Sequence, residues 1–176
     1  MLVVRLSILI ILTIGLVIWS WKSFRDRKAH GFYRFFAFES ILALLVINAM
    51  YWFIDPFSII QIVSWILLLG SLVMAVLGFY LLHNVGKPVQ GIEDTTVLVR
   101  TGIYKYIRHP LYSSLILVAW GIMLKDVSWL SLALVLLATL FSVATAMVEE
   151  KENLQRFGDE YANYMKSTKR FLPFLV

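Results

Sequence analysis

The sequence predicts an all-α protein: one domain over residues 1–176, folded as an integral membrane bundle of about five transmembrane helices. Three observations predict it. Hydrophobic residues make up 60% of the chain and the mean hydropathy is +0.81, whereas a soluble domain is nearer half apolar. Charged residues are only 15% of the total and gather in a few stretches. Between those stretches lie five apolar runs, each bounded by turn, aromatic or charged residues.

The first run, residues 2–20, is interrupted only by Arg5. Trp19, Trp21 and a basic cluster follow it instead of a small-x-small cleavage site, so it reads as an anchored membrane helix and not a signal peptide. The second, 35–54, ends at the turn signal Asp55-Pro56. The third, 57–82, holds Gly70 and Gly78, small residues that allow helices to approach closely. The fourth and fifth, 111–124 and 127–148, are separated by the polar break Lys125-Asp126. The fourth is short for a hydrocarbon layer of about 30 Å at about 1.5 Å per residue.

Charge orients the bundle. Lys22, Arg25, Arg27, Lys28 and Arg34 lie between runs one and two; Lys87, Arg100, Lys105 and Arg108 lie between three and four. Lys151, Arg156, Lys166, Lys169 and Arg170 follow run five, while the alternate connections carry only Arg5 and Lys125. The positive-inside rule then puts the N-terminus outside and the C-terminus in the cytoplasm, and it accounts for the net charge of +5 without nucleic acid as a partner. The small size and the lack of a retention signal point to a prokaryotic inner membrane. No obligate protein partner is inferred. The chain has no cysteine, and His30, His83 and His109 do not fall at metal-ligand spacing, so no metal site is expected.

Two polar segments share the expected cytoplasmic face. The first is the connector 83–112. Its residues Thr96 to Val99 are β-branched or aliphatic and read as extended, and Thr101-Gly102 reads as a turn. Pro110 suits the first position of a helix, which leaves free N–H groups that attract carboxylate or phosphate, with Arg108 beside them. The second is the C-terminal segment 149–176. Here Glu149 and Glu150 sit where run five meets water, so a helix continuing to about Phe157 is expected, with Glu149, Asn153 and Phe157 on one stripe. Gly158 reads as a left-handed cap, followed by a short helix bearing Tyr161 and Tyr164. Taken alone, Arg108, His109 and Tyr112 read better as an interfacial anchor, and the acidic residues better as a solvated helix extension. Together on one face they match the needs of a cofactor with carboxylate, cationic and adenine parts.

The ordered set Gly102-x-Tyr104-x-x-x-Arg108-His109-Pro110-x-Tyr112, Glu149-Glu150, Phe157-Gly158-x-x-Tyr161-x-x-Tyr164 and Arg170-x-x-Pro173 resembles the isoprenylcysteine carboxyl methyltransferase family. The related phospholipid methyltransferases share much of it. The resemblance covers about residues 90–173. It implies an S-adenosyl-L-methionine-dependent membrane methyltransferase acting on a lipophilic small-molecule or prenylated substrate, with membrane lipids as its surroundings. It places the cofactor against Gln90 (if the connector is one residue short), Thr96, Val97, Leu98, Val99, Tyr104, His109, Pro110, Leu111, Tyr112 and Glu149. Arg108 would hold the cofactor's carboxylate; Glu149, with Tyr112, would balance the sulfonium. The acceptor would enter past the glycines of run three. One position departs from the family: Thr145 stands where an arginine would hold the substrate's carboxylate. A neutral side chain cannot do that bidentately, so Arg108 or Arg170 must substitute, or the acceptor is an amine, a thiol or a hydroxyl. Phospholipid N-methylation, an NADPH-dependent sterol-reductase-like reaction and a non-catalytic membrane scaffold are the alternatives.

Overall fold

A computed structural model describes residues 2–21, 30–89, 91–92 and 94–172. Lys22, Arg25, Arg27, Lys28, Gln90 and Pro173 lie outside the described residues. The chain is helical throughout: α1 (Leu2–Trp19), α2 (His30–Asn48), α3 (Ile59–Asn84), α4 (Pro110–Met123), α5 (Trp129–Phe157) and α6 (Asp159–Ser167), with short 3-10 turns at Ala49–Tyr51 and Gly102–Lys105. All five apolar runs are helices. The second starts five residues earlier than its hydrophobicity indicates, at His30, because its first turn is held by polar contacts. By length and composition α2, α3 and α5 can cross a membrane, while α1 and α4 are shorter apolar helices.

α2 packs on α5, α3 on α4, and α4 on both α2 and α5, while α1 lies along α2. The core where α2, α4 and α5 meet holds Leu44, Ala119, Ile122, Met123, Val135 and Ala138. In a bilayer lipid tails are as apolar as leucine, so helices associate through close packing and interhelical hydrogen bonds. Both are present. A Cβ on Gly121 would come within 2.9 Å of Leu68 Cδ2, and one on Gly78 within 3.0 Å of Leu111 Cδ2. Ser64 Oγ donates to Gly121 O (2.7 Å) and Ser71 Oγ to Ser114 O (2.9 Å). This closes the α3–α4 seam at Gly70 and Gly78, so the expected acceptor entry past those glycines is corrected: they are where α4 docks.

Most of the described polar contacts gather at the two ends of the bundle. At one end Arg5 donates to Ile47 O and touches Met50 Sδ, and the α4–α5 turn sits among Asn48, Gln61 and Ser131. Lys125, expected in water, is 4% exposed. Its Nζ donates to Gln61 Oε1 (3.1 Å) and lies 3.6 Å from the centre of the Trp65 ring. Between the ends, Thr13 Oγ1 donates to Glu39 Oε1 at 2.6 Å, tying α1 to α2.

At the other end α5 runs on past Val148 to Phe157, as its acidic pair predicts. Gly158 closes it with φ +54° and ψ −130°, so the glycine is required for its positive φ but the geometry is not the left-handed cap. Residues 94–100 are strapped onto this extension and onto α6: Arg156 of α5 pairs with Asp94 (2.7 Å), and Arg100 with Glu160 of α6 (2.6 Å). Thr96 to Val99 form no strand; Thr96 and Val97 bend, their N–H groups donating to Gly86 O.

Candidate functional site

The polar end is built by pairing two distant segments. Residues 106–109 run parallel to 168–171: Lys169 N donates to Tyr106 O (3.1 Å), Arg108 N to Lys169 O (2.8 Å) and His109 N to Arg170 O (3.1 Å). Ser113 Oγ adds a bond to Phe171 O at 2.9 Å. The opening of α4 is thereby buried under the C-terminal segment instead of facing water, which corrects the expectation of a wholly free helix start. Pro110 has no N–H to satisfy, and no side chain caps the helix.

The carboxylate at the centre is Glu150, which is 4% exposed. Its Oε1 accepts from Arg108 Nε (2.9 Å) and Arg170 Nε (3.1 Å), and its Oε2 from Arg170 Nη2 (2.7 Å). Arg108 Nη1 also donates to Met165 O and, at 2.5 Å, to Thr168 O. Hydrogen bonding to Glu150, with the carboxylate's charge adding to it, raises the pKa of Arg170. Both arginines are therefore held inside the protein by a carboxylate and carbonyls, and Arg108 is not placed to hold a cofactor carboxylate. His109 is buried; its Nε2 lies 3.4 Å from Glu150 Oε1, close enough to favour the ionised carboxylate, and makes no hydrogen bond among the described residues.

Glu149 takes the flank of the same helix. Its charge reaches Tyr112, Tyr104 and Tyr161. Burial, then the neighbouring negative charge, pushes the Tyr104 and Tyr161 phenols up, so both stay neutral. Burial also raises Tyr164, whose hydroxyl donates to Tyr104 O at 2.6 Å. The Tyr104 hydroxyl is 3.4 Å from Gly78 O. Tyr112 packs with Ala146 and Phe171.

The structure thus brings Tyr104, Arg108, His109, Pro110, Leu111, Tyr112, Glu149 and Arg170 to one end of the bundle. Val99 is buried nearby in sequence, Leu98 is partly buried, and Thr96 and Val97 are exposed on the strap. Thr145 is fully buried, and its Oγ1 bonds to Phe141 O at 2.6 Å. Its hydroxyl is satisfied within α5 and does not face an open cavity among the described residues. Glu150 as the hub, Thr168 as an arginine acceptor and Arg34, whose field reaches Tyr112, are the residues that motif spacing missed.

An apolar helical bundle with buried ionised groups and neutral tyrosines gathered at one end is a membrane protein built to hold a polar ligand beside lipid. The chain belongs to the phospholipid methyltransferase family, whose model matches residues 59–160, more than half of it. It is similar to the methanethiol S-methyltransferase of Pseudomonas deceptionensis, 34% identical over 51% of this chain and 31% of that protein. It is also similar to methanethiol S-methyltransferase 1 of Bradyrhizobium diazoefficiens, 30% identical over 53% of this chain and 32% of that protein. The methanethiol S-methyltransferase of Crocosphaera subtropica is 32% identical over 47% of this chain and 32% of its own length. The matched region spans about a third of the length of these relatives. No solved structure matches the chain.

Proposed function

We propose that this protein transfers a methyl group from S-adenosyl-L-methionine to a thiol, at the cytoplasmic face of a prokaryotic membrane, and that residues 1–176 act as one domain. The observation that carries the choice of acceptor is the state of the cations. Thr145 is sealed against Phe141 O, and Arg108 and Arg170 are both bonded to Glu150. No arginine of this group is left to orient an acidic acceptor, so a neutral, soft nucleophile fits better. The relatives' names point the same way.

The residues fit the cofactor on one observation: a buried His109 Nε2 that makes no hydrogen bond among the described residues, its polar neighbour being Glu150 Oε1 at 3.4 Å, beside a helix start with no side-chain cap. Buried polar groups are ordinarily satisfied, and a ligand supplies what the chain does not. The N–H groups of Leu111 and Tyr112 would bind its carboxylate, with His109 beside them. When bound, the cofactor supplies an electrophilic methyl on a sulfonium sulfur. A thiol acceptor would take that methyl in exchange for its proton, and Glu149 would accept the proton. Tyr104, Tyr112 and Tyr161 exclude water, and their ring faces favour a cation. Glu150 keeps the two segments together.

Incubation of the purified protein with methyl-labelled cofactor and a panel of alkanethiol, prenylcysteine and phosphatidylethanolamine tests this. Label in the thioether is expected. Label in a carboxyl ester or a phospholipid amine would overturn the thiol assignment, and cofactor binding unchanged by both His109→Ala and Glu149→Ala would overturn the site.

A further inference from the structure

The polar end of the bundle carries a second concave feature, outside the residues assigned to methyl transfer. A cleft of about 220 Å³ opens between the 3-10 turn at Gly102–Lys105 and the close of α6. Lys105, Lys166 and Lys169 line it together with Tyr106, Ser167 and Thr168, and no acidic side chain does. All three lysines are exposed, and no carboxylate among the described residues pairs with any of them. Lys105 Nζ lies 6.0 Å from the centre of the Tyr106 ring, and Lys166 Nζ donates to the neutral Asn163 Oδ1 at 3.3 Å. The arginines of this end are treated differently. Arg100, Arg108, Arg156 and Arg170 each face a carboxylate.

The dipole of α6 accounts for Lys166, which stands in its last turn, but not for the other two. Lys105 and Lys169 come from separate segments, joined by the bond from Lys169 N to Tyr106 O at 3.1 Å. The fold thus gathers three like charges around one cleft and supplies no counter-charge, which raises the local concentration of anions. A helix C-terminus would ordinarily repel an anion, yet its carbonyls are occupied here. Met165 O and Thr168 O accept from Arg108, and Tyr164 O accepts from the Ser167 and Thr168 hydroxyls. The depth is also informative. Tyr106 is 51% exposed and lies four residues before Pro110, where the apolar helix α4 begins. An exposed tyrosine at such a place marks the headgroup layer.

We propose that this cleft binds the phosphate of an anionic phospholipid. Its volume is below the roughly 300–1,000 Å³ of pockets that enclose a whole small molecule. It suits a headgroup whose acyl chains stay in the bilayer, and basic pockets beside membrane helices recognise such headgroups. The site stands whether or not the acceptor of the methyl group is a thiol.

Native mass spectrometry of the detergent-purified protein, titrated with phosphatidylglycerol and phosphatidylcholine of identical chains, tests it. Tighter binding of phosphatidylglycerol is expected. Lys105→Gln, Lys166→Gln and Lys169→Gln should each weaken it about fivefold and leave phosphatidylcholine unchanged. Lys151→Gln, at an exposed lysine of α5 that does not line the cleft, should have no such effect. Ser167→Trp, which fills the cleft and keeps all three lysines, should remove the preference. Circular dichroism establishes that the variants are folded. Equal affinity for the two lipids, or an undiminished preference in folded Ser167→Trp, overturns the proposal. So does a loss in Lys151→Gln as large as in the cleft variants, which would reduce the preference to overall charge. Phosphatidylglycerol should also stay bound in millimolar inorganic phosphate; its displacement would give the cleft to a soluble anion and overturn the lipid assignment.

Discussion

Replacing Glu150 by glutamine separates the two adjacent acids. The substitution preserves shape and removes one charge. It leaves Arg108, whose side chain is 8% exposed, buried with carbonyl partners but no counter-ion, and turns an amide donor toward one arginine. Three charge-assisted bonds converge on this carboxylate, at 2.7, 2.9 and 3.1 Å. Such bonds contribute about 1.5–3 kcal/mol each, but they are not additive, because Arg170 is partly exposed and retains water when released. The better guide is the cost of breaking a buried pair from one side, about 3–5 kcal/mol. At about 2–4 °C per kcal/mol for a chain of this size, the midpoint should fall by about 6–20 °C. Glu149→Gln leaves the Arg108 and Arg170 bonds in place, and a shift within about 2 °C is expected from a loss of about 0.5 kcal/mol. The assay is thermal unfolding in one detergent, followed by near-ultraviolet circular dichroism, with Arg170→Leu and the double variant completing a cycle. The reasoning fails if Glu149→Gln is the more destabilised of the two, or if Glu150 and Arg170 show no coupling.

Three further outcomes follow from the same geometry. Tyr164→Phe deletes the donor to Tyr104 O and should cost about 1–3 kcal/mol by leaving a buried carbonyl unpaired, read as a lower unfolding midpoint. Gly121→Val must displace Leu68 and approach Ser64 O at 3.3 Å, an overpacking loss of about 1–3 kcal/mol, measurable by the same melts. Tyr104, Tyr161 and Tyr164 have folded pKa values raised above 10, so above pH 10 the unfolded chain releases protons that the folded one keeps. The stabilisation is complete below pH 10 and is lost as pH rises, by about 1.4 kcal/mol per pH unit for each tyrosine; Tyr161→Phe should flatten the alkaline limb of the midpoint-against-pH curve.

The helices were legible because hydrocarbon imposes its own length on the chain: each apolar run is a helix, and its polar punctuation falls at an end. The meeting of residues 83–112 with 149–172 was also legible, since charge placed both on one face. What sequence spacing got wrong is which acid points inward. The stripe through Glu149, Asn153 and Phe157 rests on the first acid of the pair. The buried face of α5, however, runs through Ser131, Val135, Ala138, Ser142, Ala146 and Glu150. Small residues at three- and four-residue steps through the apolar part of the helix, carried forward one turn, reach Glu150 and pass Glu149. Small residues, not acidity, reported the inner face. The pairing of 106–109 with 168–171 left no such trace, because main-chain bonds between distant segments place no demand on side-chain type.

The length of α4 explains why so many polar groups sit deep in this protein. Fourteen residues span about 21 Å, some 9 Å less than the hydrocarbon layer, so both ends of the helix cannot reach water. At the beginning, the backbone of residues 168–171 and the arginine–glutamate cluster close over it. At the end, the carbonyls of Gly121, Ile122, Leu124 and Lys125 accept from Ser64, Asn48 and Gln61, and the Lys125 ammonium suits the negative end of the dipole. Unsatisfied backbone at these depths is costly, which is why Lys125 is buried where it seemed an exception to the charge pattern. A longer α4 would free its C-terminal carbonyls to the headgroups and make Asn48, Gln61 and Lys125 unnecessary, but it would also lift Pro110 and His109 out of the shelter of the C-terminal segment. The short helix keeps the polar site below the rim of the bundle, the depth at which the proposed acceptor and a water-soluble donor would meet.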